Sequence, residues 1–480
     1  MNLISDLEPK CVFKQFEKIA SIPHGSGNEG PLSDYIVSFA KRLNLEVHQD
    51  KMKNLIIKKE ATKGYEKRAP IILQGHMDMV CDKTKDSKHN FEKDGLELLV
   101  EGDFLTANKT TLGADDGIAV AYILAILEST SISHPRLEII LTVSEEVGLE
   151  GAKEIDLSLL TANQLINLDS EEEGYILTSC AGGCRIQTIF PANWQEESGV
   201  ELEITVSGLL GGHSGTEIDQ KRANANVTIA RILSNIPTDY SISSLCGGSK
   251  DNVIANNATA AIIVKGNKVT EVENFIKNYA KILKNEYQVS DPNITLTVKD
   301  LGEKTVPVLT KELQQKFIIA TSSIPNGVLA MSQNIEGLVE TSLNFGVLTL
   351  TKQSLTFHHA IRSSVDSVKN NFISRIKLVG ENLGATIKLT GIYPAWTYKP
   401  ESPLRENMIN TFKDLYGHEP IVKAIHAGLE CGLFSDKITD LDAVSIGPNM
   451  IGVHTANEKL SISSTKRVWE YLLKVLENTK

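Results

Sequence analysis

The chain lacks a surplus of positive charge and lacks any long apolar run. Acidic residues outnumber basic ones by 60 to 49, which gives a formal net charge of -11 at pH 7. Nucleic-acid binding needs a clustered basic face, so we expect no nucleic-acid partner. A membrane-spanning helix needs about 20 consecutive apolar residues, and no run in the sequence approaches that length. We therefore expect no membrane partner either.

Cysteine is scarce, and the opening residues, MNLISDLEPKC, do not show a basic region followed by an apolar one. We therefore expect a cytoplasmic protein. The cysteines are scattered, which favours free thiols in a reducing compartment over a disulfide framework. In CAGGC the spacing is not the CxxC of a thiolate metal pair. The six cysteines are Cys11, Cys81, Cys180, Cys184, Cys246 and Cys431.

What the chain does contain is the composition and length of a multidomain globular protein. Hydrophobic residues make up 41% and charged residues 23% of 480 residues, too many for one compact core. Near-continuous apolar runs such as LEIILTV alternate with helical patterns, which is typical of strands buried on both faces. We therefore predict an α/β fold with a mixed, largely parallel sheet flanked by helices.

The pattern of elements changes near Cys180 and changes back near Ala395. Between them lie an alternating strand, ELEITVSGL, and an amphipathic helix, NANVTIARILSNI. From Pro403 onward the helix and strand order of the first segment returns. We therefore predict a discontinuous catalytic domain formed by 1–180 and 396–480, with an inserted α+β lid domain over 181–395.

Acidic and histidine side chains concentrate in five short stretches. Each is predicted to lie at or soon after the carboxyl end of a strand, with the last one after the strand VSIGP. Open α/β sheets bind ligands in the crevice beyond those ends, so we expect the five stretches to converge on one pocket. They are QGHMDMV, TLGADDG, SEEVG, NLDSEEEG and GVHTANEKLSI.

Such a collection of carboxylates favours bound divalent cations, because neighbouring carboxylates repel one another and raise each other's pKa. Zinc accepts imidazole nitrogen and carboxylate oxygen, and two metals sharing a bridging carboxylate also bind a substrate oxygen. Each stretch alone is weak evidence, since paired glutamates usually face solvent and an aspartate at a helix start usually caps it. Their joint occurrence predicts a two-metal catalytic site.

The stretches GHMD, LGADDG, SEEVGLEGA, NLDSEEEG, CAGG, GLLGGHSGTEID and HTANEKLSI resemble the aminoacyl-histidine dipeptidases. These are bacterial relatives of carnosinase within the two-zinc exopeptidase superfamily, which includes peptidase T and acetylornithine deacetylase. The match runs along the whole chain. It implies a zinc-exopeptidase-like catalytic domain and metal-dependent hydrolysis of dipeptides, preferentially of the Xaa-His type.

The resemblance also implies a role for each position of the metal centre. His76 and Asp169 would hold one zinc ion, and Glu146 and His454 would hold the other. Asp115 would bridge the two. We therefore expect two divalent ions per chain, with zinc as the cofactor, although manganese and cobalt also bind carboxylate-rich sites.

Two further carboxylates are implied in catalysis. Glu145 would be the general base, taking a proton from a water that the cations activate and passing it to the leaving amine. Asp78 would lie behind His76 and fix the orientation of its ring. The peptide bond from Asp115 to Asp116 would be cis.

Three residues of the insert resemble substrate contacts of the family. His213, in GGHSG, would face the metal ions from the same chain or from a partner, although its position also suits an ordinary turn residue. Asn252 and Arg362 would contact substrate, and the fork of an arginine suits the terminal carboxylate of a dipeptide. Glu430, in GLECGLF, matches a family stretch without an assigned role. We also expect a homodimer formed through the insert.

Two other functions stay open. The same scaffold could serve a tripeptide aminopeptidase, a carboxypeptidase or an N-acyl amino acid deacylase, but an insert that closes off the cleft favours dipeptides. A non-catalytic relative should have lost Glu145 or a metal ligand, and here every one is present.

Overall fold

The computed structural model describes residues 4–479, which divide into two compact units. Unit 1 comprises Met1–Cys180, Tyr398–Ala424 and Leu429–Lys480, apart from the terminal residues outside the described range. Unit 2 comprises Ala181–Thr397 and Ile425–Gly428. Each unit has its own sheet and its own hydrophobic core.

Up to Cys180 the helices are α1 (Lys10–Ala20), α2 (Gly30–Arg42), α3 (Ala114–Glu128) and α4 (Glu150–Glu154), and the strands are β1 (Glu46–Gln49), β2 (Leu55–Lys59), β3 (Ile71–His76), β4 (Leu98–Glu101), β5 (Phe104–Ala107), β6 (Leu137–Thr142), β7 (Gln164–Asn167) and β8 (Tyr175–Cys180). Unit 2 then contributes β9 (Gly182–Pro191), β10 (Trp194–Ser207), α5 (Ala225–Ser234), β11 (Ser241–Gly247), β12 (Ala258–Val264), α6 (Val269–Glu286), β13 (Thr295–Leu309), α7 (Lys311–Ser323), β14 (Gly327–Met331), β15 (Val339–Leu350), β16 (Ser354–Ser363), α8 (Asp366–Asn382) and β17 (Thr386–Tyr393). The last elements are α9 (Pro403–Tyr416), β18 (Ile421–Ile425), α10 (Glu430–Lys437), β19 (Asp442–Ser445), β20 (Met450–Ile451), β21 (Lys459–Ser461) and α11 (Ile462–Asn478).

The main sheet of unit 1 has eight strands in the order β1-β2-β6-β3-β7-β19-β8-β18. Its four central neighbours, β6, β3, β7 and β19, run parallel, whereas β1, β2 and β8 pair antiparallel. Both β3 and β6 are buried along their whole length, as near-continuous apolar runs predict. The predicted α/β fold with a mixed sheet, parallel at its centre, is confirmed.

Helix α3 lies at the centre of the core of unit 1. Its sequence is apolar on every side, and apart from Asp115 and Glu128 its residues are buried. The ring of Tyr122 stacks on that of Trp469 with 5.8 Å between centroids, and its hydroxyl donates to the carbonyl of Thr465 at 2.9 Å. The helix is therefore tightly fixed, and so is the acidic turn at its start.

A second, smaller sheet of unit 1 has the order β20-β21-β5-β4. It joins the chain just before α3 to the chain just before α11 through the pairing of Lys459 with Thr106 and of Leu460 with Leu105. This sheet brings two distant segments together, and both carry predicted metal ligands.

Unit 2 is built on a nine-stranded sheet in the order β13-β10-β12-β11-β15-β16-β9-β17, with β14 added beside β15. Every neighbouring pair along that order is antiparallel. An aromatic group in its core places Phe190, Phe317 and Phe345 around Phe357, with ring centroids 5.3 to 5.9 Å apart. The predicted α+β character of the insert matches this sheet and its helices α5 to α8.

The structure describes the length and polarity of the helices and the state of the cysteines. Across residues 4–479, no helix has both the length and the apolar character needed to cross a membrane. All six cysteines lie in that range, and none of them forms a disulfide bond.

Candidate metal centre and active site

The side chains of the five predicted metal ligands lie together in unit 1. His76 ends β3, Glu146 follows β6 and Asp169 follows β7, so three of them follow the strand-end rule. Ligand atoms within 4.8 Å of one another form three groups: His76, Asp116 and Asp169; His76, Glu145 and Glu146; and Asp115, Glu146 and His454.

The other two ligands arrive by a different route. Asp115 lies in the first turn of α3, after β5 of the small sheet. His454 follows β20 of that same sheet, whereas the sequence placed it after the strand in VSIGP, which is β19. Strand β19 ends at Ser445, shortly before Gly447 and Pro448. Proline has no N–H with which to continue the hydrogen bonding of a strand. The peptide bond between Asp115 and Asp116 is cis, as the resemblance implies.

Asp115 lies between the two histidines. Its Oδ1 is 3.0 Å from His76 Nε2, and its Oδ2 is 3.1 Å from His454 Nε2. The two oxygens of one carboxylate therefore face two different imidazoles, which is the arrangement that a carboxylate bridging two cations requires. Of the two aspartates in this turn Asp115 is the better bridge, because Asp116 Oδ2 already accepts a hydrogen bond from the His76 backbone N–H at 3.1 Å.

Each histidine has a second carboxylate. His76 Nε2 is 3.6 Å from Asp169 Oδ1, and His454 Nε2 is 2.9 Å from Glu146 Oε1. The His76 side chain is 1% exposed, whereas that of His454 is 50% exposed. The centre thus has a buried half, around His76, and a half open to solvent, around His454.

The charges of the centre perturb several pKa values. Burial alone would lower the pKa of His76, but the carboxylates of Asp169 and Asp115 raise it well above its usual value. Hydrogen bonds to Asp115 and Glu146 raise the pKa of His454 to about 11. Burial raises the pKa of Asp169 to about 7, and Asp115 adds to that shift. Protons on the two imidazoles therefore offset part of the negative charge of the carboxylates.

This donor set fits two divalent cations. Two imidazole nitrogens and three carboxylates, one of them shared, match the ligands that zinc takes in catalytic sites. Positive ions here would relieve the repulsion among Asp115, Asp169 and Glu146, which the protonated histidines now offset.

Asp78 connects the two ligand loops at the edge of β3 and β6. Its Oδ1 lies 3.4 Å from His76 Nδ1 and accepts from the Glu145 backbone N–H at 2.9 Å. Its Oδ2 accepts from the Glu146 N–H at 3.2 Å and from the Ser26 hydroxyl at 2.8 Å. Although burial opposes the shift, His76 and these donors lower the pKa of Asp78. Asp78 thus lies behind His76, whose Nδ1 is also 3.0 Å from the Asp78 backbone carbonyl oxygen, and it holds the loop of Glu145 and Glu146.

Glu145 lies beside the metal ligands, in the loop after β6. Burial raises its pKa well above the usual value, and the negative charges of Asp169, Glu430 and Glu146 raise it further, while His76 opposes them. A carboxylate whose pKa is shifted upward toward neutrality is suited to general acid-base work.

Sequence reasoning missed two supporting carboxylates. Glu29 Oε1 accepts from the backbone N–H and the hydroxyl of Ser144, both at 3.0 Å, just before Glu145. Glu430 Oε2 accepts from Gln74 at 2.5 Å and from Thr142 at 2.8 Å, near the ends of β3 and β6. Burial raises the pKa of Glu430 to about 8. Glu430 belonged to a recognised stretch, but the spacing gave no sign of either contact.

The three predicted substrate contacts lie in unit 2. The N–H of Ser214, next to His213, donates to the carbonyl of Asn252 at 2.9 Å, which holds those two segments side by side. Arg362 Nη1 donates to the Tyr393 hydroxyl at 3.1 Å. Burial lowers the pKa of His213, and the positive charge of Arg362 lowers it further. Unit 2 therefore brings His213, Asn252 and Arg362 into one neighbourhood.

Comparisons with known proteins agree with this fold. Residues 72–478 match the model of peptidase family M20/M25/M40. The chain is 38% identical over 481 residues to the cytosol non-specific dipeptidase of Escherichia coli (strain K12), covering 99% of both proteins. It superposes on the crystal structure of aminoacylhistidine dipeptidase from Vibrio alginolyticus with a TM-score of 0.95 and 35% identity, covering 99% of this chain and 98% of that one.

A more distant structure shares the fold alone. Aminopeptidase PepT from Bacillus cereus aligns with a TM-score of 0.58 at 15% identity, over 98% of this chain and 99% of that one. The family model spans most of the chain, and the Escherichia coli relative matches it from end to end. The chain therefore belongs to peptidase family M20/M25/M40.

Proposed function

We propose that this chain is a metal-dependent dipeptidase that hydrolyses unblocked dipeptides, Xaa-His among them. The observation that carries the proposal is Asp115, whose two oxygens face His76 and His454 beside the carboxylate of Glu145. The relatives support the substrate class, since one is a cytosol non-specific dipeptidase and another an aminoacylhistidine dipeptidase. The first of these names also supports a cytoplasmic location.

The chain's own residues account for the proton transfers. When bound, two divalent cations supply Lewis acidity and activate a water molecule. Glu145 takes the proton of that water as the peptide carbonyl is attacked, and then gives it to the leaving amine. Asp78 keeps the backbone of Glu145 in place, because its Oδ1 accepts from the Glu145 N–H at 2.9 Å.

Residues of unit 2 are proposed to bind the substrate. Arg362 pairs with the terminal carboxylate of the dipeptide through its bidentate fork, and Asn252 contacts the substrate near it. His213 donates to the oxyanion that develops on the carbonyl. Pairing of Arg362 with the terminal carboxylate limits the length of the substrate, because a longer peptide would leave the charge of Arg362 unpaired.

A matched substrate series tests the function. Ala-His, β-Ala-His, Ala-Ala, Ala-Ala-Ala and carboxyl-amidated Ala-His should be compared by kcat/KM on the same preparation. We expect the free dipeptides to be hydrolysed and the tripeptide and the amide to be poor substrates. Equal rates for Ala-Ala-Ala and Ala-His would contradict a dipeptidase. Equal rates for Ala-Ala and Ala-His would remove the histidine preference alone.

Zinc is the proposed metal, because imidazole and carboxylate ligands suit it, with manganese and cobalt as competitors for the same donors. Elemental analysis of protein purified without added metal should approach two ions per chain. We also propose a homodimer formed through the insert, which sedimentation at several protein concentrations would test.

A further inference from the structure

The carboxylate of Glu458 accepts hydrogen bonds from four consecutive backbone N–H groups. Its Oε2 accepts from Leu112 at 2.8 Å and from Gly113 at 3.1 Å. Its Oε1 accepts from Ala114 at 2.8 Å and from Asp115 at 3.3 Å. The Glu458 residue is 2% exposed, so this contact is made away from water.

These N–H groups are available because they precede and begin α3. They lie before a kink in the backbone, because Asp115 and Asp116 have non-helical φ and ψ and the peptide bond between them is cis. The N-cap residue, Gly113, has no side chain that could pair them. Gly113 is in the left-handed region, at φ 65° and ψ 32°, which turns successive N–H groups toward one point.

Glu458 belongs to the loop that carries the other end of the metal centre. It follows His454 by four residues and precedes β21. Within the loop, the Glu458 N–H donates to the Thr455 carbonyl at 3.1 Å, and the Ala456 N–H donates to Asp82 at 3.1 Å. His454 itself has φ 64°, a conformation that a side chain with a Cβ adopts only when its surroundings require it.

We propose that Glu458 is a positioning residue that fixes Asp115 and His454 relative to each other before any cation binds. The carboxylate of Glu458 accepts from the backbone of Asp115, the bridging ligand. Glu458 itself lies on the loop of His454, the solvent-exposed ligand. The proposal rests on the proposed metal centre, but it assigns a role to a residue outside the ligand set. The four hydrogen bonds that its carboxylate accepts from Leu112 to Asp115 all come from backbone N–H groups, so it acts through the backbone.

Only a carboxylate of this length satisfies the arrangement. A glutamine would turn an amide nitrogen toward two N–H donors and leave them unpaired in a buried place. An aspartate keeps the charge but is one methylene shorter, so it reaches fewer of the four. We therefore expect Glu458→Asp to retain part of what Glu458→Gln loses.

Unit 1 also contains a matched control. Glu138 is fully buried near the amino end of β6, the end opposite to the metal centre, and its carboxylate accepts from the N–H groups of Thr161 at 2.8 Å and Ala162 at 3.0 Å. Glu138→Gln therefore removes the charge of a comparably buried carboxylate that supports no ligand, although one glutamine oxygen can still accept from both N–H groups. Both glutamine variants should lower the Tm of the metal-free protein.

The deciding measurement is zinc affinity, obtained by titrating metal-free protein against a competing chelator at a temperature where every variant is folded. We expect Glu458→Gln to weaken the affinity about tenfold or more, Glu458→Asp to fall between it and the wild type, and Glu138→Gln to bind zinc like the wild type. If Glu458→Gln does not fold, the comparison of Glu458→Asp with Glu138→Gln decides. Wild-type affinity in the Glu458 variants, or an equal loss in Glu138→Gln, would overturn the proposal.

The titration also separates this proposal from the proposed function. It needs no substrate, so a protein whose zinc affinity depends on Glu458 but that hydrolyses no dipeptide would refute the function and leave the positioning role in place. Dipeptide hydrolysis with unchanged zinc affinity in the Glu458 variants would support the function and refute the positioning role.

Discussion

Three carboxylates of unit 1 accept hydrogen bonds from backbone N–H groups of the loops that carry the metal centre. Asp78 accepts from Glu145 and Glu146, Glu29 from Ser144, and Glu458 from the turn before Asp115. The sequence indicated only the first of them, because Asp78 lies two residues from His76 in an extended segment. Glu29 and Glu458 come from segments distant along the chain. Their partners are backbone N–H groups, which a pattern of side chains does not indicate.

The clustering of the candidate ligands could be predicted because their side chains carry the chemistry. Short motifs such as GHMD and SEEVG place acids and histidines at strand ends, and the structure places groups of their ligand atoms within 4.8 Å of one another. What the motifs did not indicate is the asymmetry between buried His76 and half-exposed His454, since burial depends on neighbours from the whole unit.

The role of Glu145 is tested by Glu145→Gln, which keeps the shape and removes the proton acceptor. Turnover should fall by about 10²–10⁴, because general acid-base catalysis typically contributes that much, while the metal content of the protein should persist. Glu150→Gln is the control, since Glu150 lies in the same loop region but is exposed and pairs with Lys153 at 2.6 Å. Near-normal turnover in Glu145→Gln would assign the base to another carboxylate.

His359 predicts a loss of stability in acid. It is buried beside Phe345, with ring centroids 4.6 Å apart, and burial lowers its pKa from 6.5 to about 3. Below pH 6.5 the unfolded chain therefore binds a proton that the folded chain does not, so stability falls as the pH falls toward the folded pKa. For this group the loss between pH 7 and pH 5 is about 2 kcal/mol.

The measurement is urea unfolding of metal-free protein at both pH values. In His359→Gln the drop in the free energy of unfolding should be smaller than in the wild type by that amount. His358→Gln serves as the control, because His358 is only partly buried on the same strand. An unchanged pH dependence in His359→Gln would show that His359 is protonated in the folded protein.

At the scale of elements, α3 has a charged partner at each end. Glu458 accepts hydrogen bonds from the N–H groups at the start of α3. At the end of α3, Lys59 Nζ donates to the carbonyls of Ile126 at 2.8 Å, Leu127 at 3.2 Å and Ser129 at 2.7 Å. The cation at the carboxyl end complements the helix dipole.

Lys59→Met should therefore lower the free energy of unfolding by about 2 kcal/mol, the cost of losing charged hydrogen bonds to partly buried carbonyls. Zinc affinity should stay unchanged, because Lys59 lies at the end of α3 remote from Asp115. Chemical denaturation measures the first and chelator competition the second. Lys58→Met is the control, since Lys58 pairs with Glu46, whose side chain is 66% exposed. Equal destabilisation in both variants would contradict the role given to Lys59.

The elements were predicted well where hydrophobic periodicity is strong. Strand β6 follows from the apolar run LEIILTV, β10 from the alternating run ELEITVSGL and helix α5 from the amphipathic run NANVTIARILSNI. The small sheet was missed, because β20 and β21 are two and three residues long and carry no periodic pattern. For this reason the sequence pattern indicated β19 as the strand before His454, whereas the strand before it in the structure is β20.

At the scale of the whole molecule, the predicted domains, 1–180 with 396–480 and the insert 181–395, remain a prediction. The contacts within the chain support it, since they separate Ala181–Thr397 from the segments on either side. The boundary could be read from a change in pattern, whereas the short return of Ile425–Gly428 to unit 2 could not, since four residues have no periodicity.

The insert has its own core, so residues 181–397 expressed alone should fold. Its buried aromatic group around Phe357 and its nine-stranded sheet lie entirely within that range. We expect a cooperative urea transition and a near-ultraviolet circular dichroism signal from packed aromatic rings. The same measurement on 1–180 alone is the comparison, because that fragment lacks β19 and should show no such transition. A non-cooperative insert would contradict an independent domain.

The strand order of the main sheet has a consequence for biosynthesis. β19 lies between β7 and β8, although it is made long after both of them. On the ribosome, the emerging amino-terminal half therefore holds two strands with open hydrogen-bonding edges, which invite pairing with other chains. The sheet closes only when residues 442–445 appear, and His454 follows within a few residues. A nascent chain therefore lacks both a central strand of this sheet and a predicted metal ligand until residues 442–454 have been made.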